Sequence, residues 1–237
     1  MRSGLIAVAC AACRLNFDEV ERDDAGPPDD ERALATPCNT PVLLHPEPAP
    51  TQQLSAAATT STLVASWLRS DGTVGEAGAR LVPGGLEPFT RPALAGTWSG
   101  VALAASGGNV MSALGQGTTS KVRFLDEHLT VFEHALSIAV SLPGTRGASA
   151  LRSGSYPFVL AGTRSFATGA QALAPSELGP ELDALAEPQE AVETVAFDND
   201  FAIVSARAGT CRLIRLRPDS GPIAPLATWG TSCATPT

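Results

Sequence analysis

The sequence predicts an all-β domain, a small propeller-like array of about four antiparallel blades, and three observations carry that prediction. Four short apolar runs resemble one another: Val64-Ala65-Ser66-Trp67, Val110-Met111-Ser112-Ala113, Phe158-Val159-Leu160-Ala161 and Ile203-Val204-Ser205-Ala206. Their last residues, at 67, 113, 161 and 206, are separated by 46, 48 and 45 positions. Each run follows a polar or glycine-rich turn and precedes another. A period in the forties with two or more short strands per unit is the signature of propeller blades. The four runs are therefore expected in equivalent, innermost places of successive small sheets around a common centre. A β-sandwich built from the same strands is the architectural alternative, and it would lack rotational symmetry.

The elements follow the repeat. In the first unit, Leu63 to Leu68 and Thr73 to Val82 read as strands joined at Ser70-Asp71-Gly72, an Asp-Gly hairpin signal, with Pro83-Gly84-Gly85 as the stop. The second unit runs Gly100 to Ala105, Val110 to Leu114 and Ser120 to Leu125. In its last strand, Lys121 and Arg123 interleave with Val122 and Phe124, as on a strand with one buried face. The third has Phe158 to Ala161, a turn at Gly162 to Arg164, and Ser165 to Ala174. The fourth has Val195 to Phe197, the turn Asp198-Asn199-Asp200, Phe201 to Arg207, the turn Ala208-Gly209, and Cys211 to Arg217. One segment departs from the pattern: between Ser176 and Val192, Pro180 suits a first helical turn, and Leu182 and Leu185 have helical spacing. A short helix or acidic loop at a blade edge is expected there.

Residues 1–13 (MRSGLIAVACAAC) have one positive charge at Arg2, an apolar run from Leu5 to Ala12, and a cysteine after two alanines. This layout resembles bacterial lipoprotein signal peptides, in which small residues precede a cysteine that becomes the lipidated first residue of the mature chain. The resemblance implies lipidation at Cys13, with Cys10 as the other acceptor. Arg14 in place of aspartate implies residence in the outer membrane. Residues 14–37 read as an acidic, proline-bearing tether, since 18–32 (DEVERDDAGPPDDER) hold eight acids and two arginines and have no apolar periodicity. The repeat domain is assigned to 38–237.

With 237 residues, 44% of them hydrophobic, the chain can bury a core. Its formal charge of -8 and lack of a basic stripe exclude nucleic acid as a partner class. If Cys13 is lipidated, Cys38, Cys211 and Cys233 remain, and an odd number cannot all pair within the chain. A hairpin turning near Gly221 brings Cys211 opposite Cys233. Closing that loop stabilises by about 3 kcal/mol in the chain-entropy model. The alternatives are three free thiols or, as resemblance to four-bladed propellers of the hemopexin type implies, Cys38 with Cys233 stapling the start of the ring to its end.

No catalytic, metal or cofactor motif stands out. His128 and His134 on one strand would lie roughly 20 Å apart. Asp198-Asn199-Asp200 lacks the glycine and distal glutamate of a calcium loop. Gly96-Thr97-Trp98-Ser99-Gly100 displaces the serine of a nucleophile elbow by one, and Gly115-Gln116-Gly117 reads as a turn. Trp67, Trp98 and Trp229 read as blade packing ahead of a sugar-stacking surface. The expectation is a cell-envelope lipoprotein, held to the membrane by its lipid, whose non-catalytic β-repeat domain binds a protein or glycan. The alternative is a secreted propeller-type glycosidase or lyase with two carboxylates at the central channel.

Overall fold

The computed structural model describes residues 51–230 apart from short stretches at 84, 127–129, 141, 143–147, 151–154, 165–166, 176, 186–190, 198–199 and 218–220. The expected signal (1–13), the tether (14–37) and residues 38–50 lie outside the described residues, as do Cys10, Cys13, Cys38, Cys233, His128, Asp198 and Asn199.

Every described element is a strand, and the strands form four separate four-stranded antiparallel meanders. The first sheet holds β1 (Thr51–Ala58), β2 (Thr62–Arg69), β3 (Val74–Val82) and β4 (Gly85–Leu94). The second holds β5 (Gly100–Ser106), β6 (Asn109–Gln116), β7 (Thr119–Leu125) and β8 (Val131–Ile138). The third holds β9 (Ala148–Ala150), β10 (Phe158–Arg164), β11 (Ala167–Ala174) and β12 (Glu177–Leu185), and the fourth β13 (Ala191–Phe197), β14 (Asp200–Arg207), β15 (Thr210–Arg217) and β16 (Gly221–Gly230). Four sheets, not the two of a sandwich, make a propeller-like array.

The four apolar runs occupy β2, β6, β10 and β14, the second strand of each sheet. They are equivalent, but they are not innermost. The first strands are: β1 packs beside β5, β5 beside β9, and β9 beside β13. These strands are rich in alanine, serine and valine (TQQLSAAA, GVALAAS, ASA, AVETVAF). Small residues let strands approach closely, whereas the bulkier second strand lies where sheets face each other and is covered on both sides. An inner edge strand also exposes unpaired N–H groups. On β5 they are satisfied from the preceding sheet: Val101 N–H donates to Gln53 Oε1 at 2.9 Å and Leu103 N–H to Ser55 Oγ at 2.9 Å.

Neighbouring sheets join through apolar clusters. The second and third meet at Met111, Val122, Phe124, Phe158 and Leu160, with the Phe124 and Phe158 rings 5.5 Å apart. The third and fourth meet at Val159, Ala161, Phe201, Ile203 and Ile214. The back of the first sheet is equally closed, with Trp67 only 2% exposed. Trp67 lies against Gly75, its cross-strand partner, where a Cβ would collide with the indole ring.

The run-based alignment slips by one residue in the first unit. Ser112, Leu160 and Ser205 sit on the faces turned toward the preceding sheet, whereas Ser66 faces the following one, with Val64 and Leu68. Because side chains alternate along a strand, a single-residue slip exchanges the two faces.

Within 176–192, where a helix or loop is expected, Glu177–Leu185 is instead β12, the outer edge strand paired to β11, and residues 176 and 186–190 lie outside the described residues. An edge strand tolerates Pro180, whose missing donor would face solvent. The pairing also shifts register there, between Gln171 opposite Glu181 and Leu173 opposite Leu178. Gln171 Nε2 donates to the Gly179 carbonyl at 2.6 Å within that irregularity. Gly162 to Arg164, expected as a turn, continue β10. Proline and leucine spacing misled because the described side chains of this outer strand, Glu177 to Glu181, are largely exposed and carry little period-2 signal.

Turns follow their chemistry. Asp71 accepts from Thr73 N–H at 2.9 Å and Thr73 Oγ1 at 2.7 Å, and these bonds hold its carboxyl below the ordinary value. Ala208 and Gly209, with φ of 48° and 76°, close the two-residue β14–β15 hairpin as a primed turn requires. Asp200 opens β14 and is 2% exposed. Its carboxylate accepts from Arg215 Nε at 2.5 Å and Arg217 Nε at 3.1 Å, both on β15. Burial acts to raise this carboxyl, but the bonds and charges of Arg217 and Arg215 outweigh it and hold it below the usual carboxylate range. A depressed folded pKa contributes stability above the unfolded value of about 3.9 and loses it as pH falls through the folded value. Asp200→Asn is expected to cost about 2 kcal/mol at neutral pH, a difference that shrinks progressively below about pH 4. Urea denaturation of both proteins across pH checks this, and a pH-independent difference would assign the effect to packing.

Candidate functional site

The seam between the first and second sheets differs from the other two. At one end Val64, Leu103, Val110 and Leu125 pack together, and at the other Leu68, Val74, Val101 and Leu114, with Trp98 and Leu94 against them. Between the two clusters lies a polar layer. Ser66 stands between Val64 and Leu68 on β2, and Glu76 is its cross-strand partner on β3. Ser112 stands between Val110 and Leu114 on β6, with Arg123 its cross-strand partner on β7. The alternation that places valine and leucine on this face places the serines, the glutamate and the arginine there too.

The layer is joined across the seam. Arg123 Nη2 donates to Glu76 Oε1 as a close ion pair, and Ser66 Oγ donates to the same oxygen at 3.2 Å. Arg123 Nε also reaches Ser112 Oγ at 3.3 Å. Glu76 is 3% exposed and its Oε2 has no hydrogen-bond partner. Burial pulls the Arg123 guanidinium below its ordinary value, Glu76 opposes this, and Arg91 adds to it by repulsion. Arg91 lies on β4 directly across from Glu76.

Trp98 covers one end of this seam. It sits half-buried in the link from β4 to β5, with its backbone N–H donating to the Gly72 carbonyl at 2.9 Å. Gly96, at φ 144°, passes so close beneath the indole that a Cβ would meet Trp98 at 2.9 Å. Lys121 Nζ is 5.9 Å from the ring centroid, within cation–π range. The indole Nε1 is buried without a partner.

The other residues singled out from the sequence fare differently. Cys211 begins β15, is buried, and lies across from Trp229 of β16; Cys233 falls outside the described residues. Trp67 is core, Trp98 is half-buried at the seam, and the side chain of Trp229 lies outside the described residues. His134 lies on the outer strand β8. Gly115-Gln116-Gly117 runs from β6 into its hairpin with β7, Gly117 at φ 61°. No cluster of three or more metal-ligating side chains occurs among the described residues. The Glu76–Arg123 layer is not apparent from the sequence. Its trace lies in the serines at the third place of three runs, and counting across each hairpin leads from Ser66 to Glu76 and from Ser112 to Arg123.

No protein-family model matches the chain, and no curated protein matches it. Among solved structures it is similar to the lectin SapL1 in complex with α-methyl fucoside, with a TM-score of 0.53 and 11% identity, over 75% of this chain and 64% of that one. It is also similar to the Dos1 propeller, with a TM-score of 0.49 and 9% identity, over 78% of this chain and 49% of that one. The chain thus spans less than two thirds of either structure. At these identities the likeness is one of fold, and the fold is propeller-like.

Glu76→Ala leaves the Arg123 charge unpaired in the seam and is expected to cost about 3–5 kcal/mol. Glu76→Leu combined with Arg123→Met should recover most of that, because an apolar pair would join the two flanking clusters. Chemical denaturation of the single and double variants checks this. A double variant as unstable as Glu76→Ala would show that the layer stabilises by more than mutual charge compensation.

Proposed function

We propose that this chain is a cell-envelope lipoprotein whose propeller-like domain is a non-catalytic glycan-binding module, with its site at the seam under Trp98. The observation that carries the reading is the seam itself. Glu76, Ser66, Ser112 and Arg123 form an ion-paired layer between the first and second sheets, and above it the half-buried indole of Trp98 and the exposed Lys121 beside it stand within a ligand's reach. Sugar recognition uses a charged group that bonds hydroxyls strongly and an aromatic surface against the ring's C–H groups, and the enclosed ion-paired layer gives Lys121 and Trp98 a fixed base. The fold it shares with a lectin supports the same reading. Among the described residues, the innermost strands hold one carboxylate, Glu193, whereas glycoside hydrolysis at a central channel uses two.

The anchor rests on residues 1–13, with Cys13 lipidated, acidic residues holding the domain off the membrane, and outer-membrane residence following from Arg14. A disulfide between Cys211 and Cys233 would then secure the last hairpin, since the pairing of Thr210 with Gly230 ends three residues short of Cys233.

Binding of the full chain to an immobilised glycan set tests the module. Trp98→Ala should weaken retained binding severalfold, and because the indole also packs on the apolar end of the seam, binding is compared at a temperature well below the unfolding midpoint of the variant. Unchanged binding would remove the seam from the site, and absence of any glycan binding would overturn the reading. A non-reduced peptide map of membrane-extracted protein tests both covalent features. It should yield an acylated peptide beginning at Cys13 and a linked Cys211–Cys233 pair; an unmodified Cys13 or alkylatable thiols at 211 and 233 would refute them.

A further inference from the structure

The two faces that meet between the first and second sheets repeat one pattern. Val64, Ser66 and Leu68 alternate along β2, and Val110, Ser112 and Leu114 along β6. The strands run the same way, Val64 packing with Val110 at one end and Leu68 with Leu114 at the other. A slide of one sheet along the other by two residues, roughly 7 Å, keeps the same side chains on the seam face. With valine or leucine at each of these apolar levels, shape does little to resist it. The seam between the second and third sheets differs, because there Met111, Phe124 and Phe158 interlock with Ala102, Ala104 and Ala113, large against small.

The polar layer does resist a slide. In the observed register Arg123 donates to Glu76 and to Ser112, and Ser66 donates to the carboxylate oxygen that Arg123 holds. Moving the sheets by two residues carries Ser66 and Glu76 to the level of a valine or leucine and takes from Arg123 its bond across the seam. Arg91 moves with Glu76 on the first sheet, so the penalty falls on Arg123. Its side chain is 11% exposed, and its own sheet then offers it Ser112. Breaking a buried pair costs much more than the intact pair contributes, so the layer discriminates between registers more than it stabilises the observed one. The other bonds across the seam discriminate less. Gln53 and Ser55 are two residues apart, as are the Val101 and Leu103 N–H groups that they cap, so a slide of two re-forms one bond of the pair. Trp98 N–H to Gly72 and Ser99 N–H to Gly115 tie the link to both sheets, but at a rim open enough for water to replace a broken bond.

We propose that Glu76 and Arg123 pin the first sheet in register on the second and are, through that register, positioning residues for the site at Trp98. A single buried polar residue sets register in this way between helices, and here a pair does so between sheets. Trp98 is bonded to the first sheet through Gly72, whereas Lys121 stands on β7 two residues from Arg123. The 5.9 Å between the Lys121 ammonium and the indole is therefore a property of one register. The positioning half of the inference rests on the glycan-binding reading above, and the pin itself does not.

The test is heteronuclear NMR of the full chain carrying Glu76→Leu with Arg123→Met, which fills the layer with side chains that favour no level. The wild type should give one set of resonances. The double variant should retain most of the wild-type stability yet show split or broadened resonances confined to the first sheet and the Trp98 indole. Glu76→Gln with Arg123→Met keeps an acceptor for Ser66, removes the link across the seam, and should behave alike if the first pair fails to fold. Arg123→Lys leaves a point charge opposite Glu76 and should keep a single set. One set in both double variants, with the Trp98 indole signal unmoved, would overturn the pin. These spectra need no ligand, so they decide it whether or not the chain binds glycans. Where a glycan is bound, the double variant should lose affinity severalfold at retained stability, and wild-type affinity alongside split resonances would overturn the positioning half.

Discussion

A meander whose second strand is apolar on both faces cannot stand alone in water. In β6 and β10 each face is buried, one against the sheet before and one against the sheet after. Burying an apolar side chain of that size stabilises by roughly 1.5–3 kcal/mol, and half of that burial exists only when a neighbour is present. The array is therefore the smallest stable unit, and each sheet acts as the other wall of the next. Two further features follow: small residues on the inner strands and few constraints on the outer ones.

How much of this was legible in the sequence varied with depth in the sheet. The second and third strands of the first, second and fourth units were readable because they are bounded by turns with specific chemistry. Asp71-Gly72, Gly107-Gly108 and Ala208-Gly209 mark hairpins whose strands are apolar enough to show their period. The first strand β1 was missed because TQQLSAAA has neither strong hydrophobicity nor clean alternation. Its role is to approach the axis and cap β5 with Gln53 and Ser55, which small and polar side chains serve. Outer strands β4 and β12 carry prolines, a signal against a central strand that is compatible with an edge.

The candidate site was illegible for a different reason. Ser66, Glu76, Ser112 and Arg123 are each ordinary in sequence, and 47 positions separate the two charged partners. Their meeting depends on which face each strand turns toward its neighbour. The repeat alignment itself hid this, because it matched Ser66 with Ser112 as though they faced the same way. They face each other across the seam, and the one-residue slip in the first unit makes that possible.

That slip also bears on why a single seam is distinctive. In the third and fourth sheets the corresponding positions hold Leu160 paired with Gln171 and Ser205 paired with Arg212. Gln171 turns its amide back into its own sheet, to Gly179, rather than across the seam to the second sheet. Ser205 faces the third sheet where Ala170 and Ala172 line the wall, and its Oγ is buried without a hydrogen-bond partner. The repeat thus supplies a polar pair in several blades, and the first sheet answers that of the second with an opposite charge, Glu76 to Arg123. An ancestral pattern of repeated pairs would place similar chemistry at every seam. Here the seams keep their apolar packing while the polar residues between the apolar positions differ, as expected when packing constrains every blade and the intervening side chains are free to diverge.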